Sequence, residues 1–297
     1  MLLTFKVKNY KNFKDEICLS MLPAPGQKRL EYSVLREKNN AALCCSAIYG
    51  PNGVGKTNLI MAMADLYQIV ATGVNDGKTA DFSVCFTNNG VKMLYSLKLG
   101  KSGTILEEEL IADGEQVFTQ KNTNKVMLKE LGKNAYDWFN SKFNVSYYDF
   151  PNVSPTCGIT HDIVGYGPSH GTKQLVNGFT WIFYALINGG VLAIDEFFPA
   201  LHPLMAMQVI NLFHNDEINK KNAQLIFTTH NTLFMDASLL RSDEIKFMDK
   251  GELYSLSDFP GAEPSEINYL LGRYGAVKYV DLTAMIEKIV RKIHERI

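Results

Sequence analysis

Gly50-Pro51-Asn52-Gly53-Val54-Gly55-Lys56-Thr57 is the stretch that decides the fold. It satisfies the pattern GxxxxGK[ST] in full, a loop whose backbone N–H groups turn inward on phosphate oxygens. The glycines let the backbone wrap closely, Lys56 is placed to reach the β and γ phosphates, and the Thr57 hydroxyl is placed to hold Mg²⁺. Asn52, Gly53, Val54, Gly55, Lys56 and Thr57 are therefore the expected contacts of a nucleoside triphosphate. The flanks agree with this reading. Ala41–Tyr49 is a small, apolar run of the kind buried as a central parallel strand. Asn58–Ala71 carries Leu59, Met63, Leu66 and Ile69 near helical spacing. Strand, loop and helix in that order set a helix N-terminus, with its free N–H groups and positive dipole end, behind the phosphates. An accidental glycine turn would lack that context.

Val191-Leu192-Ala193-Ile194-Asp195-Glu196 is a second apolar strand, ending in two carboxylates. An Asp-Glu pair in isolation is more often a solvated strand end. Combined with the Gly50 loop, Asp195 is expected to orient Mg²⁺ and its waters from a neighbouring strand. Glu196, one residue on, is expected beside the γ phosphate, polarising the attacking water. A third buried strand, Gln224–Thr228, leads into Thr229-His230-Asn231. A lone histidine after a strand is usually structural. On the strand expected beside that of Glu196, His230 reads instead as a γ-phosphate sensor that also orients the water. Ser169-His170-Gly171-Thr172-Lys173 opens a helix that continues from Lys173 to Leu186. Read alone it is an ordinary N-cap; its position 26 residues before Asp195 favours an anion-binding helix start.

Elsewhere, residues 1–20 alternate like a strand pair around a turn at Asn9–Asn12, and Pro23-Ala24-Pro25-Gly26 ends them. Phe82–Phe86 and Met93–Leu99 flank the turn Asn88-Asn89-Gly90, and Ile105–Ile111 with Gln116–Phe118 continues the antiparallel pattern. Lys121–Phe143, rich in Lys and Asn, reads as a short helical insertion, and Pro151–Gly167 as loop. Leu204–Phe213 is a helix, and Ile245–Met248 with Leu253–Leu256 an edge hairpin. The tail Asp281–Ile297 sets Ile286, Ile289, Val290, Ile293 and Ile297 on one face, opposite Lys288, Arg291, Lys292 and Arg296. The expected fold class is α/β: a P-loop NTPase with a mostly parallel core sheet flanked by helices and an antiparallel β subdomain. We read one domain over 1–297. Its nucleotide-binding lobe spans 1–120, the insertion 121–165, and the lobe with the two later strands and the C-terminal helix 166–297.

The chain has 297 residues, is 46% hydrophobic and 21% charged, and carries a formal net charge of −1. That suffices for a substantial core and excludes a global positive field drawing it onto DNA or an anionic membrane. A nucleic-acid contact would need a local basic patch. The N-terminus does not read as a signal peptide, and Phe179–Ile194 is too short to span a bilayer, so a cytoplasmic setting without membrane contact is expected. Cys18, Cys44, Cys45, Cys85 and Cys157 lack zinc spacing and read as reduced thiols.

The succession GPNGVGKT, SHGTK, VLAIDE and TTHN resembles the ABC-type ATPases of the SMC/RecF/OLD class. It is most similar to the stand-alone ATP-binding proteins of bacterial phage-defence and abortive-infection operons. Phe5-Lys6-Val7-Lys8-Asn9-Tyr10-Lys11-Asn12-Phe13-Lys14 is similar to the family's opening strand and its turn near the nucleotide. Leu201-His202-Pro203 and Tyr269-Leu270-Leu271-Gly272-Arg273-Tyr274-Gly275 also look like this subgroup. The resemblance implies ATP and Mg²⁺ as cofactors, with Asn12 and Phe13 near the nucleotide. It also implies a head-to-tail homodimer, Ser169 and Gly171 acting on ATP held by the partner's loop. The function it implies is an ATP-gated switch that controls a separate effector, such as a TOPRIM-type nuclease, in antiviral defence. A RecF/SMC-like ATPase gripping DNA and a nucleotide-binding scaffold are the alternatives. Three departures stand: no glutamine loop is placed (Gln68 falls in the first helix, Gln116 far along), the signature reads Ser-His-Gly-Thr, and the long coiled-coil arm is missing.

Overall fold

Cys45–Tyr49 forms a strand buried along its whole length, because its five residues are small or apolar. We describe residues 1–146, 170–199, 201–277 and 286 of the computed structural model, without the side chains of 144–146 and 170–178. This strand, β5, lies within a six-stranded sheet of order β10-β11-β12-β5-β13-β14. The others are β10 (Phe143–Ser146), β11 (Val191–Ile194), β12 (Gln224–Thr228), β13 (Ile245–Asp249) and β14 (Glu252–Ser255). All pairings are parallel except β13 with β14, which closes as a hairpin through Lys250 and Gly251 at positive φ. β14 alone is the edge of that hairpin, since β13 pairs with β5.

A second sheet is antiparallel, with order β2-β1-β6-β7-β8-β9. It comprises β1 (Leu2–Lys8), β2 (Ile17–Ser20), β6 (Ala80–Asn88), β7 (Val91–Leu99), β8 (Ile105–Ala112) and β9 (Glu115–Thr123). β3 (Val34–Glu37) and β4 (Asn40–Leu43) form a small separate hairpin. The helix α1 (Lys56–Thr72) is apolar over most of its circumference because it packs between the two large sheets. Leu59, Met63, Leu66 and Ile69 share one core with Phe5, Val84 and Tyr95 on the antiparallel side and with Ile48, Val191, Ala193 and Ile226 on the other. Gly73, at φ 75°, ends the helix by donating its N–H to Ile69 O.

The parallel sheet is covered on its opposite face by the helices α4 (His170–Asn188) and α5 (Pro203–His214). Ile182, Ala185, Ile210 and Phe213 pack there with Leu192, Ile194, Leu225, Phe227 and Phe247. The side-chain period of two divides each strand between the cores: Ile226 faces α1, while Leu225 and Phe227 face away. Gln224, buried at the start of β12, receives Leu2 N–H (2.6 Å) and donates to Leu2 O (3.0 Å) and Leu43 O (2.9 Å). One side chain thereby ties the sheets together. α6 (Glu266–Leu270) brings Tyr269 against Tyr49 and Phe247, with Tyr274 on Phe247, which accounts for the aromatic residues of that stretch.

Lys121–Phe143 departs from the reading as an insertion. It begins within β9, continues through α2 (Leu128–Leu131) and α3 (Lys133–Lys142), and ends at β10. Its apolar residues belong to the main core. Trp138 stacks on Phe86 with centroids 4.1 Å apart, and Phe139 and Phe143 pack around it. The buried carboxylate of Glu108 accepts from the backbone N–H of Met127 and Leu128 and from the Tyr95 hydroxyl, anchoring the start of α2. Burial pushes the pKa of Glu108 up against the pull of those donors.

Pro151–Gly167, Cys157, Ser169 and, apart from Ile286, the tail helix Asp281–Ile297 lie outside the described residues. Ile286 is helical and 58% exposed. No described helix is long and apolar enough to cross a membrane.

Candidate nucleotide site

The loop Gly50–Gly55 joins the C-terminal end of β5 to α1, and its glycines are required by contact as well as by conformation. Gly50 has φ 151°, and a Cβ there would stand 2.2 Å from Met248 O. Gly55 has φ 113°, and a Cβ there would meet Phe13 Cε1 at 2.7 Å and Asn12 Nδ2 at 2.8 Å. Asn12 and Phe13 reach it from a tight turn that Tyr10 and Phe13 close with two backbone hydrogen bonds. Asn12 Nδ2 donates to Val54 O (3.3 Å), and Asn58 Nδ2 donates to Asn12 Oδ1 (2.5 Å). The turn therefore braces the loop from the antiparallel layer.

Lys56 Nζ donates to the loop's own carbonyls, Gly50 O at 2.7 Å and Pro51 O at 3.0 Å. Burial draws its pKa below the usual lysine value, while Asp195 and Glu196 act in the opposite direction. Thr57 Oγ1 donates to Asp195 Oδ2 at 2.8 Å. The strand carrying Asp195 is not the direct neighbour of β5 that the sequence suggested. β12 intervenes, so the two strands stand roughly 9.6 Å apart. Thr228, the last residue of β12, bridges that gap. Its hydroxyl donates to Asp195 Oδ1 (2.6 Å) and accepts from the N–H of Glu196 (2.8 Å). Sequence reasoning passed over Thr228; the signal available was a hydroxyl ending a strand whose other residues are buried.

Glu196 adopts φ 51° and Phe198 φ 44°, left-handed conformations that cost a non-glycine residue of order 1–3 kcal/mol each. The bend between them is held by Phe197. Its N–H donates to Thr228 O (2.8 Å) and its ring packs on Phe227 with centroids 4.4 Å apart. This turn leaves Glu196 exposed at the mouth of the site. His230 is exposed across from it. Partial burial and then the nearby Lys56 lower its pKa, against the carboxylates of Glu196 and Asp195.

A space of about 170 Å³ is bounded by Asn52, Gly53, Gly55, Lys56, Thr57, Asp195, Glu196, Thr228 and His230. A second, of about 430 Å³, opens beside it past Glu196, His230, Leu201 and Asn231. The arrangement thus gathers the loop residues, Asp195, Glu196 and His230 around one space, with Val54, Asn12 and Phe13 behind the loop. Gly171 lies in the first turn of α4. The adjoining hydroxyl of Thr57 and carboxylate of Asp195 are hard oxygen donors, the kind that suits Mg²⁺.

A glycine loop between a central parallel strand and α1, an acidic strand end, and an antiparallel layer across the helix make up an α/β fold of the P-loop kind. Within it, residues 162–236 match the family model described as "AAA domain, putative AbiEii toxin, Type IV TA system". No curated protein matches the sequence. Among solved structures, an SMC head bound to the C-winged-helix domain of ScpA is similar at 12% identity and TM-score 0.46, over 86% of this chain and 97% of that one. The SMC head domain from Thermotoga maritima is similar at 17% identity and TM-score 0.38, over 86% and 97%. A dimeric ATP-binding cassette in a post-hydrolysis state, bound to ADP and Pi, is similar at 14% identity and TM-score 0.34, over 85% and 98%.

Proposed function

We propose that this chain binds ATP with Mg²⁺ and hydrolyses it in a head-to-tail dimer whose ATP-closed state governs a separate effector. The observation that carries the reading is the hydrogen-bonded series Thr57–Asp195–Thr228–Glu196, which fixes an oxygen pair and the backbone of the next acidic residue beside the phosphate loop. When bound, Mg²⁺ neutralises charge on the β and γ phosphates. Lys56, released from Gly50 O and Pro51 O, adds a second cation there. Glu196 takes the proton of the attacking water, and His230 contacts the γ phosphate and orients that water. Gly171, in the first turn of α4, and Ser169, which precedes that helix in the sequence, are assigned to the γ phosphate held by the partner protomer, where a helix N-terminus favours triphosphate over diphosphate.

The matched family's description names a toxin of a type IV toxin–antitoxin system, which supports a place in abortive-infection defence. We assign the effector chemistry to another polypeptide, such as a TOPRIM-type nuclease. Among the described residues, the one cluster of three or more His, Cys, Asp or Glu groups that could hold a metal is entirely buried and closed to nucleic acid. The test is phosphate release combined with light scattering. Glu196→Gln is expected to bind ATP, accumulate as a dimer and lose turnover by ~10²–10³-fold. Turnover equal to wild type removes Glu196 from its role, and full turnover by a strict monomer removes the dimer.

A further inference from the structure

Cys44 and Cys45 stand where the chain enters β5, at the end of that strand away from the phosphate loop and roughly 16 Å from it. His214 ends α5, and Glu244 immediately precedes β13. The sheet order therefore brings three distant stretches of chain to one point. All four side chains are buried, with their donor atoms within 4.8 Å of one another. Successive side chains of a strand point to opposite faces, so two adjacent cysteines would ordinarily diverge. Here Cys44 lies in a bend just before β5, and both sulfurs turn to the same side.

The separations can be set against a tetrahedral zinc centre. Bonds of ~2.3 Å to sulfur and ~2.0–2.1 Å to nitrogen or oxygen imply about 3.8 Å between two sulfurs, 3.5 Å between sulfur and oxygen, and 3.3 Å between nitrogen and oxygen. Cys44 Sγ lies 4.0 Å from Cys45 Sγ and 3.8 Å from Glu244 Oε1, and His214 Nε2 lies 3.2 Å from the same oxygen. Each agrees within a few tenths of an ångström. The surroundings orient the carboxylate as outer partners of a metal ligand do. Arg241 N–H donates to Glu244 Oε2 (3.0 Å), and Cys45 N–H donates to Oε1 (3.3 Å). The nearby guanidinium of Arg241 is committed elsewhere, to both oxygens of Asp243 and to Arg29 O.

We propose that Cys44, Cys45, His214 and Glu244 form a closed, structural Zn²⁺ site that pins the entry to β5, the end of α5 and the approach to β13. Two sulfurs and an imidazole select zinc over Mg²⁺ or Ca²⁺, and the absence of an open position suits a structural rather than a catalytic ion. Coordination requires both cysteines as thiolates and His214 as neutral imidazole, so binding releases to solvent the protons these three groups hold in the metal-free cluster.

The test is metal analysis of the full chain purified with zinc in the medium. About one zinc per chain is expected, retained by Lys56→Ala and lost from the Cys44→Ser/Cys45→Ser double variant. Cobalt exchanged into the wild-type protein should show a thiolate-to-cobalt charge-transfer band and visible bands of tetrahedral intensity, a readout that holds even if the double variant does not fold. Wild-type protein without stoichiometric zinc after reconstitution with Zn²⁺ overturns the proposal. So does a cobalt spectrum lacking the thiolate band.

Discussion

Thr228→Val isolates the hydroxyl that spans from Asp195 to Glu196, at almost constant side-chain volume. The backbone pairing is untouched, because Phe197 N–H donates to the carbonyl of Thr228 and not to its side chain. Two bonds are lost. The one to Asp195 Oδ1, 2.6 Å long and to a charged acceptor, is worth ~1.5–3 kcal/mol. The one from Glu196 N–H also helps hold that residue at φ 51°. If the first bond is expressed fully in the transition state, kcat falls by about 10- to 140-fold, at ~1.4 kcal/mol per decade. ATP affinity should change little, since the loop and Lys56 are undisturbed. Thr228→Ser keeps the hydroxyl and should stay within roughly fivefold of wild type, well inside the loss that one such bond carries. Steady-state phosphate release and an ATP titration on the three proteins decide the matter. A Thr228→Val enzyme with wild-type kcat would refute the argument that Thr228 positions the acidic pair.

Gly55→Ala forces a Cβ onto Phe13 and Asn12 at a φ of 113°, and ATP affinity should fall by about tenfold or more; an unchanged dissociation constant would disconnect the N-terminal turn from the loop. His230 in the nucleotide-free protein should titrate below 6.5, which imidazole NMR can follow. Because the folded site binds that proton less tightly than the unfolded chain, acidification below 6.5 disfavours folding at this residue, and a midpoint at or above 6.5 contradicts the placement. Arg241→Met strands the buried carboxylate of Asp243 and should cost ~3–5 kcal/mol in denaturant unfolding. Arg241→Met combined with Asp243→Leu should recover part of that loss, and a double variant no better than the single one would count against the ion pair as its source.

Much of this architecture was legible because its signals are local. The glycine loop needs particular backbone angles, and β5, β11 and β12 are short apolar runs whose burial follows from composition. Asp195, Glu196 and His230 could be proposed because each comes within two residues of the end of such a run. Thr228 was not legible, since its importance comes from lying between β11 and β5, and strand order is not a local property. Lys121–Phe143 misled for a related reason. Its lysines and asparagines advertise solvent, while Trp138, Phe139 and Phe143 form a buried stripe that needs α1 and β6 present to be recognised. The cysteines lack zinc spacing along the chain, and only the sheet brings His214 and Glu244 to them.

The order β11-β12-β5-β13 also has a consequence for biosynthesis. The strand that launches the phosphate loop leaves the ribosome well before its two neighbours, which begin at Gln224 and Ile245. At 5–20 residues per second, the apolar segment Cys45–Tyr49 must wait about 10–40 s for its partners. Gln224, which clasps Leu2 and Leu43, arrives equally late. The nascent chain therefore carries this apolar strand unpaired while the segment from Gly50 to Ala223 is made, and no fragment ending before Thr228 and His230 holds the full nucleotide cradle.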